Sequence, residues 1–325
     1  MLAIAALAVL LAVASIVVAL TSGAERRVAE RPAGARLTLD AASAPRPAPP
    51  RAARPQEPVR ETAGPDTARS LATAAGSAAI PAWKANAVAV VPASPGKPLI
   101  AIVLDDMGLD LRRSARATAL PAPLTLSFLS YAENLQAQTA AARAAGHELL
   151  VHVPMQPHDS AASTGPHALE VGLTAPEIVR RLVWALDRVP GAVGVNNHMG
   201  SRFTEDVDGM RAVLGTLAAH GLLFLDSRTS AATVVPRLAH EFVLPVLRRD
   251  VFLDHDPSTA AVQAALVETE ETARRHGHAV AIGHPRDATL AALADWLPGL
   301  AARGFALMPL SALAARRLKM GQLAE

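Results

Sequence analysis

The chain of 325 residues contains no cysteine. It can therefore form neither a disulfide framework nor a thiolate metal site, and an oxidising compartment would find no reactive thiol on it. Any metal ion that the protein binds must be held by histidine and carboxylate side chains.

Aromatic residues are also scarce, at 3% of the chain, and the formal net charge is only +2. No basic block is interleaved with aromatic side chains, the pattern that favours binding of single-stranded nucleic acid. We therefore expect no nucleic-acid partner.

Residues 1–20, MLAIAALAVLLAVASIVVAL, carry no charged side chain. As a helix they would span roughly 30 Å, the thickness of a bilayer core. The run begins directly at Met1 and has neither a basic n-region nor a clear small-x-small cleavage site. This predicts an uncleaved membrane anchor, with a cleaved signal segment as the alternative. Arg26 and Arg27 would place the following chain on the cytoplasmic side by the positive-inside rule, so the sequence leaves the orientation open.

Residues 21–97 are rich in alanine, proline and arginine, as in RPAPPRAARPQEP (46–58). This composition buries too little apolar surface to fold, which predicts a largely disordered, semi-extended linker. Trp83 and the following AVAVV (87–91) offer an alternative in which this part docks on the folded domain, but the composition favours the linker interpretation.

A regular alternation of strand-like and helix-like segments begins after Pro98. The clearest helical pattern covers residues 174–189, where Thr174 and Glu177 fit a capping box. Eight β/α units within residues 98–316 predict one domain, a distorted TIM-like α/β barrel of seven to eight strands, with 317–325 as a C-terminal tail. The strand-like runs are LIAIVL (99–104), LTLSFLS (124–130), ELLVHV (148–153), AVGVNNH (192–198), LLFLDS (222–227), VLRRDVFLD (246–254), HAVAIGH (278–284) and FALMPLS (305–311).

Polar residues concentrate at the C-terminal ends of these predicted strands. In a barrel such ends converge on one mouth, where the active sites of this architecture lie. A structural core gives no reason for this concentration, because buried charges are costly unless they are paired or bound to metal. The residues are Asp105, Asp106, His152, 196–198, 226–228, 254–256 and His284.

Asp106, His152 and His198 form a candidate set of metal ligands. One carboxylate and two imidazoles suit zinc or a similar divalent ion and leave positions for water. A lone histidine at a strand end is more often hydrogen-bonded than metal-bound, so the prediction depends on the joint pattern. His147 begins the strand that His152 ends, roughly 16 Å away, and cannot share the ion. Six other histidines are expected in solvent: His158, His167, His220, His240, His276 and His278.

Six ordered blocks resemble the signatures of the divergent polysaccharide deacetylase family 2, distant relatives of the NodB-type carbohydrate esterases. They are LDDMG, HVPMQP, NNHMGSR, DSRT, RDVFLD and IGHP, and the resemblance covers about residues 98–316. It implies a metal-dependent deacetylase.

The resemblance also implies roles for individual residues. Asp105 would be the general base, Asp106 a metal ligand and His284 the general acid. The esterases' second motif has two histidines four residues apart, and here His152 takes the first position while Gln156 takes the second. Because glutamine is a poor zinc ligand, the third ligand must come from another strand, and His198 is the candidate by location.

Further residues at the strand ends are expected to contact substrate or to orient the ligating histidines. Arginine suits carboxylate and phosphate groups, so Arg202, Arg228 and Arg249 are interpreted as orienting a polar or anionic substrate, with salt bridges to neighbouring aspartates as the alternative. Asp226 and Asp254 are expected to orient the histidines. The full set comprises Asn197, Ser201, Arg202, Asp226, Arg228 and Asp254.

The resulting prediction is a zinc-dependent or similar hydrolase that removes acetyl groups from an N-acetylated polysaccharide of the cell envelope. Its barrel would lie in the periplasm or elsewhere outside the cytoplasm, tethered to or secreted across the membrane. Two alternatives stay open. With Gln156 replacing the usual histidine, the barrel could be a glycan-binding scaffold with little or no activity, or it could hydrolyse another amide or ester. The sequence leaves the oligomeric state open.

Overall fold

The computed structural model describes residues 80–319. The predicted membrane anchor (1–20), most of the predicted linker (21–79) and residues 320–325 lie outside the described residues. Within residues 80–319, no helix combines the length and the apolar character that crossing a bilayer requires.

Parallel strands make up the centre of the fold, each near one of the predicted runs. They are β1 (Leu99–Met107), β2 (Thr125–Leu129), β3 (Glu148–Met155), β4 (Gly194–Met199), β5 (Leu223–Asp226), β6 (Val246–Arg248), β7 (Val251–Phe252), β8 (His278–Gly283) and β9 (Ala306–Leu307).

Helices connect most of these strands. They are α1 (Ala82–Ala85), α2 (Leu111–Thr118), α3 (Leu135–Ala144), α4 (Ala175–Arg188), α5 (Val207–Ala219), α6 (Val235–Leu238), α7 (Thr259–His276), α8 (Asp287–Trp296) and α9 (Leu310–Lys319), with 3-10 turns at Phe203–Glu205, Ala239–Glu241 and Leu297–Gly299. Helix α4 lies where its periodicity predicts, but the expected capping box does not form. Thr174 makes no side-chain cap hydrogen bond, and Glu177 instead pairs with Arg180 and Arg181, at 2.7 Å each.

The strands form one curled sheet with the order β6-β5-β4-β3-β2-β1-β8-β7. Its two edge strands, β6 and β7, are separated in the chain only by Arg249 and Asp250, so the edges cannot lie more than roughly 10 Å apart. The backbone bridges the gap, since Arg249 N donates to Asp226 O at 2.9 Å and Asp250 N donates to Val280 O at 2.8 Å. The predicted distorted TIM-like barrel is confirmed, and residues 246–252, which leave β5 and join β8, are called the seam.

Two predicted runs differ from the expected single strands. Run 246–254 is divided at the seam into β6 and β7. Run 305–311 keeps only two strand residues, which pair with Leu99 and Ile100 at the start of β1. It stops there because α9 begins at Leu310, where Thr125 Oγ1 accepts from Leu310 N and Glu148 Oε1 accepts from Ser311 N, both at 3.1 Å.

Alternation along the strands separates two hydrophobic clusters. In β1, Ile100, Ile102 and Leu104 belong to the outer cluster that packs against the surrounding helices. Leu99, Ala101 and Val103 belong to the inner cluster, which α9 joins through residues such as Leu313. The next inward position in β1 is 105. The inner cluster therefore ends, at the C-terminal pole of the barrel, where the polar residues begin.

Trp83 corrects the linker interpretation of the segment before Pro98. Its side chain is 4% exposed and belongs to the inner cluster. The backbone N–H of Trp83 donates to Gly221 O at 2.9 Å, and Asn86 Nδ2 donates to Ala192 O at 2.8 Å. Both acceptors lie just before strands β5 and β4, so this segment docks at the N-terminal pole of the barrel. Burial of this one large aromatic side chain anchors a segment whose other residues have little apolar surface to bury.

Candidate metal centre and active site

The two aspartates after the first apolar run face the same space. Consecutive residues of a regular strand point to opposite sides, but the pairing of β1 with β2 shifts between Leu104 and Met107, and Asp106 has φ of 55°. This bulge turns the Asp106 carboxylate to the side that Asp105 already faces. Asp105 is buried, at 3% exposed, while Asp106 is partly exposed.

Backbone strain recurs around the same mouth. Asp106, Met199 and Arg228, at the ends of β1, β4 and β5, have φ of 55°, 54° and 51°. Residues other than glycine seldom adopt this left-handed backbone conformation, and those that do cluster at functional sites. The strained residues therefore mark the C-terminal pole as a candidate functional site, where an unfavourable backbone conformation positions the side chains.

Asp106, His152 and His198 converge there from three different strands. Asp106 Oδ1 lies 2.9 Å from His198 Nδ1 and 3.3 Å from His152 Nε2. The two imidazole nitrogens are 3.2 Å apart. One ligand atom from each side chain thus falls within 4.8 Å of the others, close enough for one ion to touch all three.

These residues fit a divalent cation. Asp106 Oδ1 is a buried acceptor without a hydrogen-bond partner among residues 80–319, although the two imidazoles are near it. Ligand atoms about 2.1 Å from a tetrahedral zinc ion would stand roughly 3.4 Å from one another, and the three separations are 2.9, 3.3 and 3.2 Å. A cation would therefore satisfy an oxygen atom that the protein leaves unpaired.

Gln156, which the resemblance places at the second histidine position of the esterases, takes no part in this cluster. Its Oε1 accepts a hydrogen bond from Val171 N at 2.9 Å. Its backbone oxygen accepts from Arg202 N at 3.1 Å and Phe203 N at 3.0 Å. Gln156 braces the loops that follow β3 and β4, and His198 occupies the space beside His152 instead.

Asn196 links the metal cluster to Asp105, and the sequence reasoning gave it no role. It is fully buried. Its Oδ1 accepts from Ser127 Oγ at 2.5 Å and lies 2.9 Å from His152 Nδ1. Its Nδ2 donates to Asp105 Oδ1 at 2.8 Å and to Ser227 Oγ at 3.1 Å. An N–H at His152 Nδ1 leaves Nε2 with its lone pair directed at the cluster.

Alternation along β4 could have identified this residue. Asn196 and His198 are two positions apart and share one face, whereas Asn197 between them faces the other way. Asn197 was expected to contact substrate or to orient a histidine. Its amide instead donates to Met199 O at 2.7 Å and accepts from Ser227 N at 2.9 Å, so it holds together the ends of β4 and β5.

The two aspartates differ in acidity. Burial raises the pKa of Asp105, and the nearby His152 and His284 offset only part of that effect. Burial also opposes ionisation of Asp106, but the His152 and His198 imidazoles outweigh it, so the pKa of Asp106 lies far below its usual value. The Asp106 carboxylate is therefore held ionised, whereas the Asp105 carboxylate has a higher affinity for a proton.

His284 is held by Asp254, a fully buried carboxylate. Asp254 Oδ1 lies 2.9 Å from His284 Nδ1, and Oδ2 accepts from His284 N and Thr289 Oγ1, both at 2.8 Å. Burial disfavours the imidazolium, but the hydrogen bond and charge of Asp254, together with the charges of Asp105 and Asp106, outweigh it and raise the pKa of His284. The other ring nitrogen, Nε2, lies 3.8 Å from Asp106 Oδ2.

Asp226 and Asp254 have different surroundings, although both were expected to orient ligating histidines. Asp254 orients His284, which is not one of the three clustered ligand candidates. Asp226 accepts from Arg228 N at 2.8 Å and from Thr233 Oγ1 at 2.9 Å, and within residues 80–319 its carboxylate contacts no histidine. Asp226 faces away from the mouth because the inward positions of β5 are those of Leu223, Leu225 and Ser227.

The remaining predicted residues lie around the rim. Ser201 Oγ accepts from His158 N at 2.9 Å, and Arg202 is exposed. Arg249 donates from Nε to Ser227 O at 2.7 Å and from a terminal nitrogen to Arg228 O at 3.0 Å. In the described part of the chain, none of Arg202, Arg228 and Arg249 forms a salt bridge with a strand-end aspartate.

Comparison with known proteins agrees with this architecture. A model of the family described as divergent polysaccharide deacetylase matches residues 102–314. An uncharacterized protein of Haemophilus influenzae is 37% identical over 201 residues, which are 62% of this chain and 71% of that protein. The uncharacterized protein YibQ of Escherichia coli is 35% identical over 194 residues, and the match spans 60% of each chain.

A solved structure supports the same relationship. The crystal structure of the uncharacterized protein ATU2773 from Agrobacterium tumefaciens C58 superposes with a TM-score of 0.69 at 29% sequence identity, covering 71% of this chain and 94% of that one. Together with the two relatives and this fold, the family match over residues 102–314 shows that the chain belongs to the divergent polysaccharide deacetylase family.

Proposed function

We propose that this protein is a metal-dependent hydrolase that removes acetyl groups from an N-acetylated polysaccharide of the cell envelope. The observation that carries the proposal is the convergence of Asp106, His152 and His198 next to a buried carboxylate and a carboxylate-bound histidine. A binding module needs no such pair of proton-transfer groups on either side of a ligand cluster.

Asp106, His152 and His198 would hold the ion, and zinc suits this donor set. When bound, such an ion lowers the pKa of a coordinated water and polarises a carbonyl group. Asn196 keeps His152 in the tautomer that presents Nε2 to the ion. The strong acidity of Asp106 keeps its carboxylate ionised and ready to bind a cation.

Asp105 would accept the proton of the attacking water. Its Oδ1 is bonded to Asn196, while Oδ2 lies 3.7 Å from His152 Nε2 and faces the cluster. Burial raises its pKa above the ordinary value of 3.8, which strengthens it as a base. The water oxygen then bonds to the acetamide carbon as the water gives up its proton.

His284 would donate the proton that the departing amine requires. Its raised pKa favours the imidazolium, and Asp254 fixes the ring so that Nε2 faces the carboxylates. As the C–N bond breaks, His284 protonates the amine nitrogen and acetate leaves. The two proton transfers are balanced, since one group takes a proton and the other gives one.

The apolar residues 1–20 support a location at the membrane, and we place the barrel outside the cytoplasm because the proposed substrate lies there. Tethering by residues 21–79 would let the barrel reach a surface polymer.

The test uses the full chain purified in detergent, with metal content measured by mass spectrometry and acetate release measured on N-acetylglucosamine oligomers. We expect Asp105→Asn to keep the ion and to lower kcat by roughly 10²–10⁴-fold, the usual contribution of a general base. We expect His198→Ala to lose the ion. Exposed Asp295 and His240 provide matched controls, Asp295→Asn and His240→Ala, which should leave both readouts unchanged.

Three outcomes separate the hypotheses. Equal metal content in Asp105→Asn and His198→Ala would contradict the assigned roles. Bound metal without acetate release, but with turnover of another amide or ester, would replace the substrate. Glycan binding without any turnover would support the scaffold interpretation that Gln156 suggests.

A further inference from the structure

A groove of about 580 Å³ lies along the barrel seam, outside the metal cluster. It collects positive charge from elements that are distant in sequence: the end of β5, the seam itself, the C-terminal half of α7 and helix α9. We call it the seam groove. Its arginines are Arg228, Arg248, Arg249, Arg275 and Arg317.

Within residues 80–319, Arg228, Arg248 and Arg275 form no ion pair with the two acidic residues of the groove. These acidic residues are Asp250 and Glu268, and Asp250 Oδ2 already accepts a hydrogen bond from Val280 N at 2.8 Å. Within the described residues, Arg228 and Arg248 form no ion pair, and Arg275 donates only to Thr272 Oγ1, at 3.3 Å. All three arginine side chains are exposed in the groove, so a ligand can reach them.

The cations of the groove repel one another. Burial lowers the pKa of Arg249 and the positive charge of Arg228 lowers it further, while the carboxylates of Asp105, Asp226 and Asp250 offset only part of this. His278 was expected in solvent, but it is half-buried, and burial followed by the charge of Arg317 lowers its pKa. A bound anion would relieve this repulsion, which adds an electrostatic gain to the hydrogen bonds that arginine offers.

The groove adjoins the active site through Arg249. This residue donates to Ser227 O, and its guanidinium lies 4.7 Å from the centre of the Phe252 ring. The Phe252 ring is in turn 5.7 Å from the His284 ring. Arg249 also feels the charge of Asp105. A chain molecule with one unit at the metal cluster could therefore place neighbouring units in the groove.

We propose that the seam groove binds the carboxylate or phosphate groups of an acidic polysaccharide whose N-acetylated sugar occupies the active site. Guanidinium groups bind both anions through paired N–H donors, and the volume suits a ligand of a few sugar units. The anion site stands on the groove alone, whereas its link to a deacetylated sugar rests on the proposed function.

Calorimetric titration of the full chain in detergent tests the anion site. The ligands are a galacturonic acid hexamer, its methyl-esterified neutral counterpart and inorganic tripolyphosphate. We expect the acidic hexamer, tripolyphosphate or both to bind, more weakly as ionic strength rises, and the neutral hexamer not to bind. Binding of the hexamer alone assigns a carboxylate ligand, and binding of tripolyphosphate alone assigns a phosphate ligand.

The variant Arg248→Ala/Arg275→Ala should weaken binding by roughly tenfold for each lost charged hydrogen bond, about a hundredfold in all. The control Arg112→Ala/Arg237→Ala removes the same charge from exposed positions outside the groove and should change affinity less than threefold. Circular dichroism checks that both variants are folded.

Equal affinities of the two double variants would overturn the anion site, as would tight binding of the neutral hexamer. Tighter binding of a single-stranded DNA hexamer than of either anion would overturn the polysaccharide assignment. Measuring acetate release beside anion binding separates this inference from the proposed function. If no variant or wild-type protein releases acetate but Arg248→Ala/Arg275→Ala still weakens anion binding, the deacetylase proposal fails and the groove stands.

Discussion

Replacing Asn196 with alanine should damage stability and metal binding together. The amide is fully buried and is the hydrogen-bond partner of Asp105 Oδ1 and of His152 Nδ1. Ser127 and Ser227 also bond to it, but their hydroxyl groups can rotate toward other partners. The substitution therefore strands two buried polar groups, one on a carboxylate and one on an imidazole.

Each stranded group costs about 1–3 kcal/mol, so the free energy of unfolding should fall by about 4 kcal/mol. His152 also loses the contact that fixes its ring and tautomer, which should weaken metal binding by roughly 10–100-fold. The assay is urea unfolding of the metal-free protein, followed by the fluorescence of its 3 tryptophans, with a separate zinc titration.

Ser227→Ala is the matched control. It removes one hydroxyl that bonds to the same amide at 3.1 Å but leaves Asn196 bound to Asp105 and His152. Its expected cost is about 1 kcal/mol with little change in metal affinity. Identical unfolding curves and zinc affinities for Asn196→Ala and Ser227→Ala would refute the role given to Asn196.

Two further predictions concern Asp254 and Trp83. In wild type, the profile of kcat/KM against pH should be bell-shaped, because Asp105 must be deprotonated and His284 must be protonated. Since both pKa values are raised, the acidic limb should lie above the ordinary 3.8 of an aspartate and the alkaline limb above the ordinary 6.5 of a histidine. The stabilisation that protonated His284 gains from Asp254 is complete below 6.5 and lost as pH rises through the higher folded-state pKa. Asp254→Asn should therefore move the alkaline limb to lower pH and flatten this loss of stability, and an unmoved limb would exclude His284 as the acid. Trp83→Ala should lower the free energy of unfolding by about 3–5 kcal/mol, whereas exposed Lys84→Ala should change it by less than about 0.5 kcal/mol. A Trp83→Ala protein as stable as wild type would show that the docked segment adds nothing to the barrel.

Much of the barrel could be predicted from the sequence because its strands are local patterns. Apolar runs bounded by turn residues identified β1 to β5 and β8, and the end of each run identified the pole where Asp105, Asp106 and His152 lie. What could not be predicted depends on contacts distant in the chain. Trp83 belongs to a buried cluster that includes residues more than a hundred positions later in the chain, and no local composition reveals that.

The side to which a residue points was a stronger signal than its position at a strand end. Asn197 and Asp226 sit at strand ends and were expected to serve the site, yet both face outward. Asn196 faces inward with His198 and links the cluster. Asp106 breaks the alternation through its bulge, and only coordinates show such an exception. Strict alternation along the strands would have pointed Asn197 and Asp226 outward, as the structure does, but it would have placed Asp106 on the wrong side.

The seam explains why one irregular stretch serves both the site and the groove. A strand that continued along β5 would carry residues 249–254 away from β8. Because the chain instead crosses to β8, Asp254 reaches His284 and Thr289, and Arg249 remains beside Ser227. Because β6 is an edge strand, no further strand lies on the other side of Arg248, and the groove forms there. Deleting the irregularity would thus remove the orientation of the proposed acid and the anion site at once, so both should depend on the short, weakly paired strands β6 and β7.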